Sequence, residues 1–318
     1  MKLRATSVSI GRIRPRHGRK KTLLLLSMTM PVAIWLLLLR YIPMVGITLA
    51  FKDFRFVGSN PVENLIKSEW VGLDNFKFLF ATTDSWIIIR NTVLYNLLWI
   101  VLGMVISVAL ALMLNEITSK FTAKVYQTLM FFPYFLSWVV VSYFVMALFD
   151  PTSGLIVKWQ IAKYGEALNW YHTPEPWPYI LTAANIWKNT GYSTILYLGA
   201  ITGIDKSQYE AASIDGATKW QQMKYVTLPN LRNMIVILLI MNVGKIFNAD
   251  FGLFWNVPQS YMTSTTKVLD TYVYTTMMNT SDMGMSTAAS LFQNVVGFVC
   301  IMVTNKIVQK IDPESSLF

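Results

Sequence analysis

Two groups of polar side chains interrupt otherwise apolar runs in this chain. The first is Asn185, Trp187, Lys188, Asn189 and Tyr192; the second is Asn242, Lys245 and Asn248, with Asp250 just beyond. On a helix, Asn185, Lys188, Asn189 and Tyr192 share one face, and Asn242, Lys245 and Asn248 share one side. Amides pair with hydroxyl groups as donor and acceptor together, and an indole or phenol ring stacks on the apolar face of a pyranose. Two such stripes facing each other suit a sugar. The lysines add charge. In low-dielectric surroundings an ammonium without a carboxylate partner is costly, and an anionic ligand relieves that cost. The lean is toward an acidic sugar over a neutral one. Other uses of the same residues stay open: Lys188 paired with Asp250, Lys245 snorkelling to a membrane surface, and the asparagines joining helices.

Bond-making chemistry has no comparable foothold. The chain carries no Gly-x-x-x-x-Gly-Lys-Ser/Thr loop to cradle ATP, no His-Glu-x-x-His and no Gly-x-Ser-x-Gly. Its two histidines, His17 and His172, lie in a basic tail and a polar loop, and its one cysteine, Cys300, sits inside an apolar run. No catalytic residue, metal site or cofactor is expected on this chain.

The elements that must position the two stripes are membrane helices. Hydrophobic residues make up 54% of the 318, charged residues only 14%, and mean hydropathy is +0.43. Soluble domains usually carry about 25% charged residues. A spanning helix needs about 20 mostly apolar residues. Six stretches qualify: 22–41, with Pro31 as a kink and Arg40 at its far end, then 87–114, 125–148, 179–201, 234–253 and 288–308. The stripes fall on the fourth and fifth.

Six spans put both termini on one side, and the net charge of +10 shows which. The first 21 residues hold Lys2, Arg4, Arg12, Arg14, Arg16, Arg19, Lys20 and Lys21 and no acid. Placed directly before an apolar helix, they read as a cytoplasmic anchor and not as a nucleic-acid arm. No small-residue cleavage site follows Leu39, so the helix is expected to stay. With Lys120, Lys124, Lys206, Lys219, Lys224, Arg232, Lys306 and Lys310, the terminal side carries sixteen basic residues. The opposite loops carry seven: Lys52, Arg55, Lys67, Lys77, Lys158, Lys163 and Lys267. Both termini and the loop 205–232 are therefore expected in the cytoplasm. The domain reading is a basic tail (1–21), one six-helix membrane domain (22–311) with a coupling loop at 205–229, and a short cytoplasmic tail (312–318).

That cytoplasmic loop is the most informative stretch. Residues 210–229 begin with the helix formers Glu210, Ala211 and Ala212. Gly216 then acts as a turn, a second short helix is expected over 217–225, and Pro229 ends the segment. The stretch resembles the EAA loop of bacterial ABC importer permeases: Glu-Ala-Ala, three residues, Gly, nine residues, Ile, any residue, Leu-Pro. Glu210, Ala211, Ala212, Gly216, Leu228 and Pro229 fall in register, with Asp215 beside the glycine and Val226 at the Ile position. The segment 70–76, Asn91-Thr92 and this loop together are similar to the carbohydrate branch of the family. Tyr41-Ile42-Pro43-Met44, residues 50–54, Val125-Tyr126-Gln127 and Phe132-Pro133-Tyr134 resemble oligosaccharide permeases that serve polysaccharide utilisation.

The resemblance implies an all-α polytopic membrane protein with the type I ABC importer permease (MetI-like) fold. It implies a bacterial inner-membrane protein that is not itself an enzyme. Two partner ATP-binding subunits carry ATP and Mg²⁺ and dock on Glu210, Ala211, Ala212, Asp215, Gly216, Leu228 and Pro229. A second, non-identical permease completes the path, and an extracytoplasmic binding protein delivers the sugar. No nucleic acid is involved. On this reading the stripes line a mid-membrane path for an oligosaccharide, with the lean to a uronate or alginate-type one. The alternative is an autonomous six-helix channel or secondary transporter, which needs a coupling-ion site of its own.

Overall fold

The computed structural model describes residues 19–54, 60–81, 83–258 and 264–317. Most of the basic tail (Lys2, Arg4, Arg12, Arg14, Arg16) and Arg55 lie outside the described residues. The chain divides into two units, Met1–Thr48 and Leu49–Phe318.

The described part of the first unit is apolar and helical. Helix α1 (Arg19–Leu36) runs through Pro31 and continues as a π turn, Leu37–Tyr41, and a 3₁₀ stretch, Ile42–Phe51. The runs Leu23–Leu26 and Leu36–Leu39 are not covered by protein, and a helix hydrophobic all round that protein does not cover suits a membrane span.

The second unit opens with a small cap. Strand β1 (Lys52–Asp53) follows, then α2 (Pro61–Lys67), started by the Asn60 side chain, which accepts from Val62 N. Strand β2 (Glu69–Trp70) pairs antiparallel with β1, Lys52 opposite Trp70. Phe51 stacks on Trp70 with ring centroids 5.7 Å apart. The Asn75 amide donates to the carbonyls of Ala50 and Lys52 at 3.1 and 2.9 Å, tying the 70–76 segment to the first strand.

After α3 (Phe78–Ala81), helix α4 (Thr83–Asn115) is 33 residues long. Then come α5 (Lys120–Phe131) and α6 (Trp138–Phe149). The expected third span is not one straight helix: the two meet at 98°. Pro133 closes a 3₁₀ turn, Leu136 is extended, and the Ser137 hydroxyl caps α6 by accepting from Val140 N at 3.3 Å. A proline and a fresh N-cap together end one helix and start another.

Helix α7 (Leu155–Tyr164) folds back on α6, and α8 (Trp177–Thr202) returns along α4. The 26 residues of α8 span about 39 Å, yet its polar face leaves it outside the set apolar enough to cross by composition. Trp99 donates from its indole to Thr182 Oγ1 at 3.2 Å, and Ser107 to the Thr190 carbonyl at 3.3 Å, joining α4 to α8. Among the described residues, four stretches are long and apolar enough to cross a membrane, Leu23–Phe51, Asp84–Asn115, Lys219–Val243 and Met283–Ile311, with the bent α5–α6 pair as a fifth, against the six expected.

The expected fifth span is displaced. After α9 (Lys206–Ile214), α10 (Lys219–Gln222) passes through a π turn, Met223–Thr227, into α11 (Leu228–Val243). Pro229 therefore lies in a first helical turn and does not end the segment: a proline there forfeits no needed N–H, and the wider π turn before it makes room for its ring. The helix stops at Val243, ten residues short of the expected end. Asp250 then caps α12 (Phe251–Asn256) by accepting from Leu253 N at 3.3 Å. Helices α13 (Leu269–Thr280) and α14 (Met283–Ile311) complete the unit.

The main core lies where α4, α6, α8 and α12 meet, around Trp177, Leu181, Val141 and Leu253. A second cluster joins Ala111, Tyr197, Ile201 and Leu231 near the 205–229 loop. Residues 312–317 fold back on α11: Arg232 Nε is 3.1 Å from the Asp312 carboxylate, Ser315 hydrogen-bonds with Asn233, and Leu317 N donates to Asn305 Oδ1 at 2.7 Å.

Candidate functional site: a polar cavity and a stitched cytoplasmic hairpin

A cavity of about 820 Å³ opens between α4, α8, α11 and the stretch 244–250. Its wall brings together Asn185, Asn189 and Tyr192 from the first stripe with Asn242, Lys245 and Asn248 from the second. Helical spacing produces this on α8. On the other side the helix ends at Val243, and turns carry Lys245 and Asn248 to the wall. Lys245, Asn242 and Asn248 are exposed there, and among the described residues no carboxylate pairs with Lys245.

Two expected residues are elsewhere. Lys188 is buried and absent from the wall. Its ammonium donates to the Tyr134 carbonyl at 2.8 Å and lies 5.3 Å from the ring centres of both Tyr134 and Trp138. The ammonium is held inside the protein, away from the wall. It forms no direct ion pair with Asp250, whose carboxylate accepts from the Trp138 indole at 2.8 Å, but the two charges attract at longer range. Trp187 lines a separate apolar cleft with Ile106, Leu129 and Pro133, its ring edge-on to Phe144. A side chain two residues from Asn185 or Asn189 on a helix points away from their face.

Sequence reasoning missed part of the wall. Trp99 and Asn96 reach it from α4, and Tyr134 from the break between α5 and α6. Tyr134 stacks on Tyr192 with ring centroids 4.7 Å apart and planes 13° from parallel, and Phe131 extends the stack. The pairing rests on the bend at Pro133, which periodicity alone does not announce. Asn96 lies on a helix too apolar for one amide to register as a stripe.

The 205–229 loop is a tight helical hairpin. Asp205 caps α9 by accepting from Ser207 N at 2.9 Å, and that N–H holds the carboxyl below its usual range. Gly216 has φ +77°, and the Ala217 N–H reaches the Ala212 carbonyl at 2.9 Å, a Schellman-type end. Thr218 and Gln221 form a capping box for α10. Three cross-links stitch the arms: Gln222 Nε2 to Ser213 Oγ at 2.8 Å, Tyr209 to Thr227 at 3.0 Å, and Asn230 Nδ2 to Gln208 Oε1 at 2.9 Å. Glu210, Ala211, Asp215, Gly216 and Pro229 are exposed, while Ala212 and Leu228 are half-buried. The hairpin also exposes Ile214, Trp220 and Tyr225.

Asn91 and Thr92, singled out in the sequence, hold the segment before α13. The Asn91 amide donates to the Ser264 and Lys267 carbonyls at 2.8 and 2.9 Å, and Thr92 Oγ1 accepts from Leu269 N at 3.0 Å.

Residues 100–313 match the family described as a binding-protein-dependent transport system inner membrane component. Protein LplB of Bacillus subtilis (strain 168) is 34% identical over 284 residues, 89% of this chain and 88% of that one. The polygalacturonan/rhamnogalacturonan transport system permease protein YteP of the same organism is 34% identical over 287 residues, 90% of this chain and 88% of that one. In the crystal structure of a bacterial alginate ABC transporter in complex with an alginate pentasaccharide-bound periplasmic protein, one chain superposes with a TM-score of 0.80. It is 31% identical, with 92% of this chain and 96% of that chain covered.

Proposed function

This chain belongs to the family of binding-protein-dependent transport system inner membrane components, and from that premise we propose how it works: it lines the path of an acidic oligosaccharide and takes its drive from ATP-binding subunits at the 205–229 hairpin. It is a carbohydrate ABC importer permease of the inner membrane, a transport component and not an enzyme. Family membership sets aside the autonomous channel.

The observation that carries the path is the cavity wall itself. Asn185, Asn189, Asn242 and Asn248 offer amides, the stacked Tyr134 and Tyr192 offer a ring face, and Lys245 offers an exposed cation that no carboxylate among the described residues pairs with. The acidic lean rests on Lys245 and on the similar proteins whose names carry alginate and polygalacturonan, both polyuronates. Lys188 no longer supports it.

At the cytoplasmic end, Glu210, Ala211, Ala212, Asp215, Gly216, Leu228 and Pro229 belong to a hairpin braced by its own hydrogen bonds. A braced hairpin moves as a unit. ATP and Mg²⁺ on two partner subunits close those subunits, draw the hairpins together, and bias the bundle between inward- and outward-facing arrangements. A second permease shares the path, an extracytoplasmic binding protein delivers the sugar, and both termini lie in the cytoplasm.

The test is ATPase activity and uptake by the reconstituted complex with a panel of binding-protein–sugar pairs. Stimulation by uronate oligomers above neutral ones of equal length supports the reading. Equal stimulation removes the acidic preference and leaves the importer. Failure of any ATP-binding subunit to co-purify overturns the role of the hairpin.

A further inference from the structure

The stretch 244–250 between α11 and α12 is non-helical backbone beside a cavity that a membrane surrounds. Such backbone is tolerated at depth only where protein groups take over its hydrogen bonds. Here local turn bonds take the N–H groups of Lys245, Ile246 and Asn248, and three helices take further groups. From α4, the Asn96 amide donates to the carbonyls of Ile246 and Asn248 at 3.1 and 3.2 Å. From α14, Gln293 Nε2 donates to the Phe247 carbonyl at 2.8 Å and to Asp270 Oδ2 at 3.1 Å. From α13, the same Asp270 oxygen accepts from Ala249 N at 2.7 Å.

We propose that Asn96, Gln293 and Asp270 form a clamp that sets the shape of this strap, and that Asp270 is its keystone and a positioning residue for substrate selection. The inference rests on the reading of the cavity as the sugar path. The strap carries Lys245, Asn248 and Asp250 on the cavity wall. Where those side chains stand is decided by the backbone between them, because no helix imposes it. Asp270 is outside the wall and touches no sugar placed there. It acts on the backbone at Ala249, between two wall residues, and aligns the Gln293 amide that holds Phe247. Uncoupling the carboxylate from Ala249 releases the strap on one side and leaves Gln293 with one bond where it had two.

The clamp is tested by hydrogen exchange in the assembled, reconstituted transporter, read on peptides covering 244–258, together with uptake of acidic and neutral oligosaccharides. Asp270→Ala is expected to speed exchange of the strap by about tenfold while leaving α4 and α8 unchanged, since only a local opening is made easier. Asp270→Asn keeps an oxygen for the Ala249 N–H and is expected to restore most of that protection. Uptake follows the same order, and the acidic-to-neutral ratio falls in Asp270→Ala. If that variant does not assemble, Gln293→Leu removes the donor to Phe247 and gives the same readout. Unchanged strap exchange in Asp270→Ala overturns the clamp. Faster exchange with an unchanged uptake ratio overturns its role in selection. The path reading has its own failure: Lys245→Met and Asn189→Ala leaving uptake untouched, with the exchange result standing.

Discussion

The Lys188 ammonium lies 2.8 Å from the carbonyl oxygen of Tyr134 and beside the rings of Tyr134 and Trp138. Together with the Tyr134–Tyr192 stack, that contact fastens α8 to the bend between α5 and α6. It also separates two lysines that look alike in the sequence. Lys188→Met removes a charge-assisted, part-buried hydrogen bond, which costs about 1–3 kcal/mol. The expected outcome is lower thermal stability of the complex with an unchanged preference between acidic and neutral sugars. Lys245→Met, on the cavity wall, is expected to lower acidic uptake by about tenfold, the equivalent of about 1.4 kcal/mol, and to spare neutral uptake. Parallel uptake curves for the two variants decide between these roles. A loss of acidic preference in Lys188→Met contradicts this assignment.

The hairpin at Gly216 gives a separate prediction. At φ +77° a proline cannot be placed, and its missing N–H also removes the bond to the Ser213 carbonyl at 3.1 Å. Gly216→Pro is expected to leave the bundle inserted and the ATP-binding subunits active, while sugar-driven uptake per ATP falls by about tenfold. Glu210→Lys changes an exposed charge without touching the cross-links, so any uncoupling it produces arises at the docking surface and not from unfolding of the hairpin. Uptake and ATPase measured on one preparation separate the two. Intact coupling in both removes the hairpin from the mechanism.

The Asp205 cap adds a pH dependence to the same hairpin. Its folded pKa lies below the ordinary carboxylate value because the Ser207 N–H, and its hydroxyl, favour the ionised form. A depressed carboxyl stabilises the fold above its unfolded pKa, and this contribution is lost as pH falls through the lower folded value. Asp205→Ala therefore destabilises the hairpin by a constant amount through the neutral range. The gap between variant and wild type closes only below about pH 4, where the unfolded carboxyl protonates. Hydrogen exchange of the 206–214 amides against pH checks this. A gap that closes between pH 7 and 5 identifies another titrating group.

Much of this architecture is legible in the residues, and the exceptions share a cause. Apolar runs of about 20 residues announce spans, and the spacing of Asn185, Asn189 and Tyr192 announces a polar face, because both are properties of a single helix. The Glu-Ala-Ala to Leu-Pro spacing announces the hairpin because its turn needs Gly216. What the chain hides is decided between helices. Lys188 belongs to the same helical face as Asn185, yet the Pro133 bend places a free carbonyl where its ammonium finds it. The fifth span stops at Val243 although residues 246 and 247 are apolar; the chain goes on as turns, and Asn96, Asp270 and Gln293, distant in sequence, bond to its remaining backbone groups. Tyr134 and Tyr192 stack across 58 positions, a pairing no local period encodes.

The crossing of α11 and α14 supplies the last prediction. A Cβ placed on Gly297 would stand 2.3 Å from the Gly244 carbonyl oxygen, a distance at which backbone must move. Gly244 is the first residue of the strap, so the crossing sets where the strap begins. Gly297→Ala therefore pushes α11 away from α14 at a cost of about 1–3 kcal/mol, and displaces Lys245 at the cavity wall. The expected outcome is an assembled complex with a lower melting temperature and uptake reduced by about tenfold. Gly199→Ala on α8 meets nothing within 4 Å and serves as the control; as a helical glycine replaced by alanine it is expected to be neutral or stabilising by about 0.5–1 kcal/mol. Uptake and thermal unfolding of both variants, reconstituted side by side, test the crossing. If Gly297→Ala behaves as Gly199→Ala does, the helices part without cost and the strap is set by its side-chain hydrogen bonds alone.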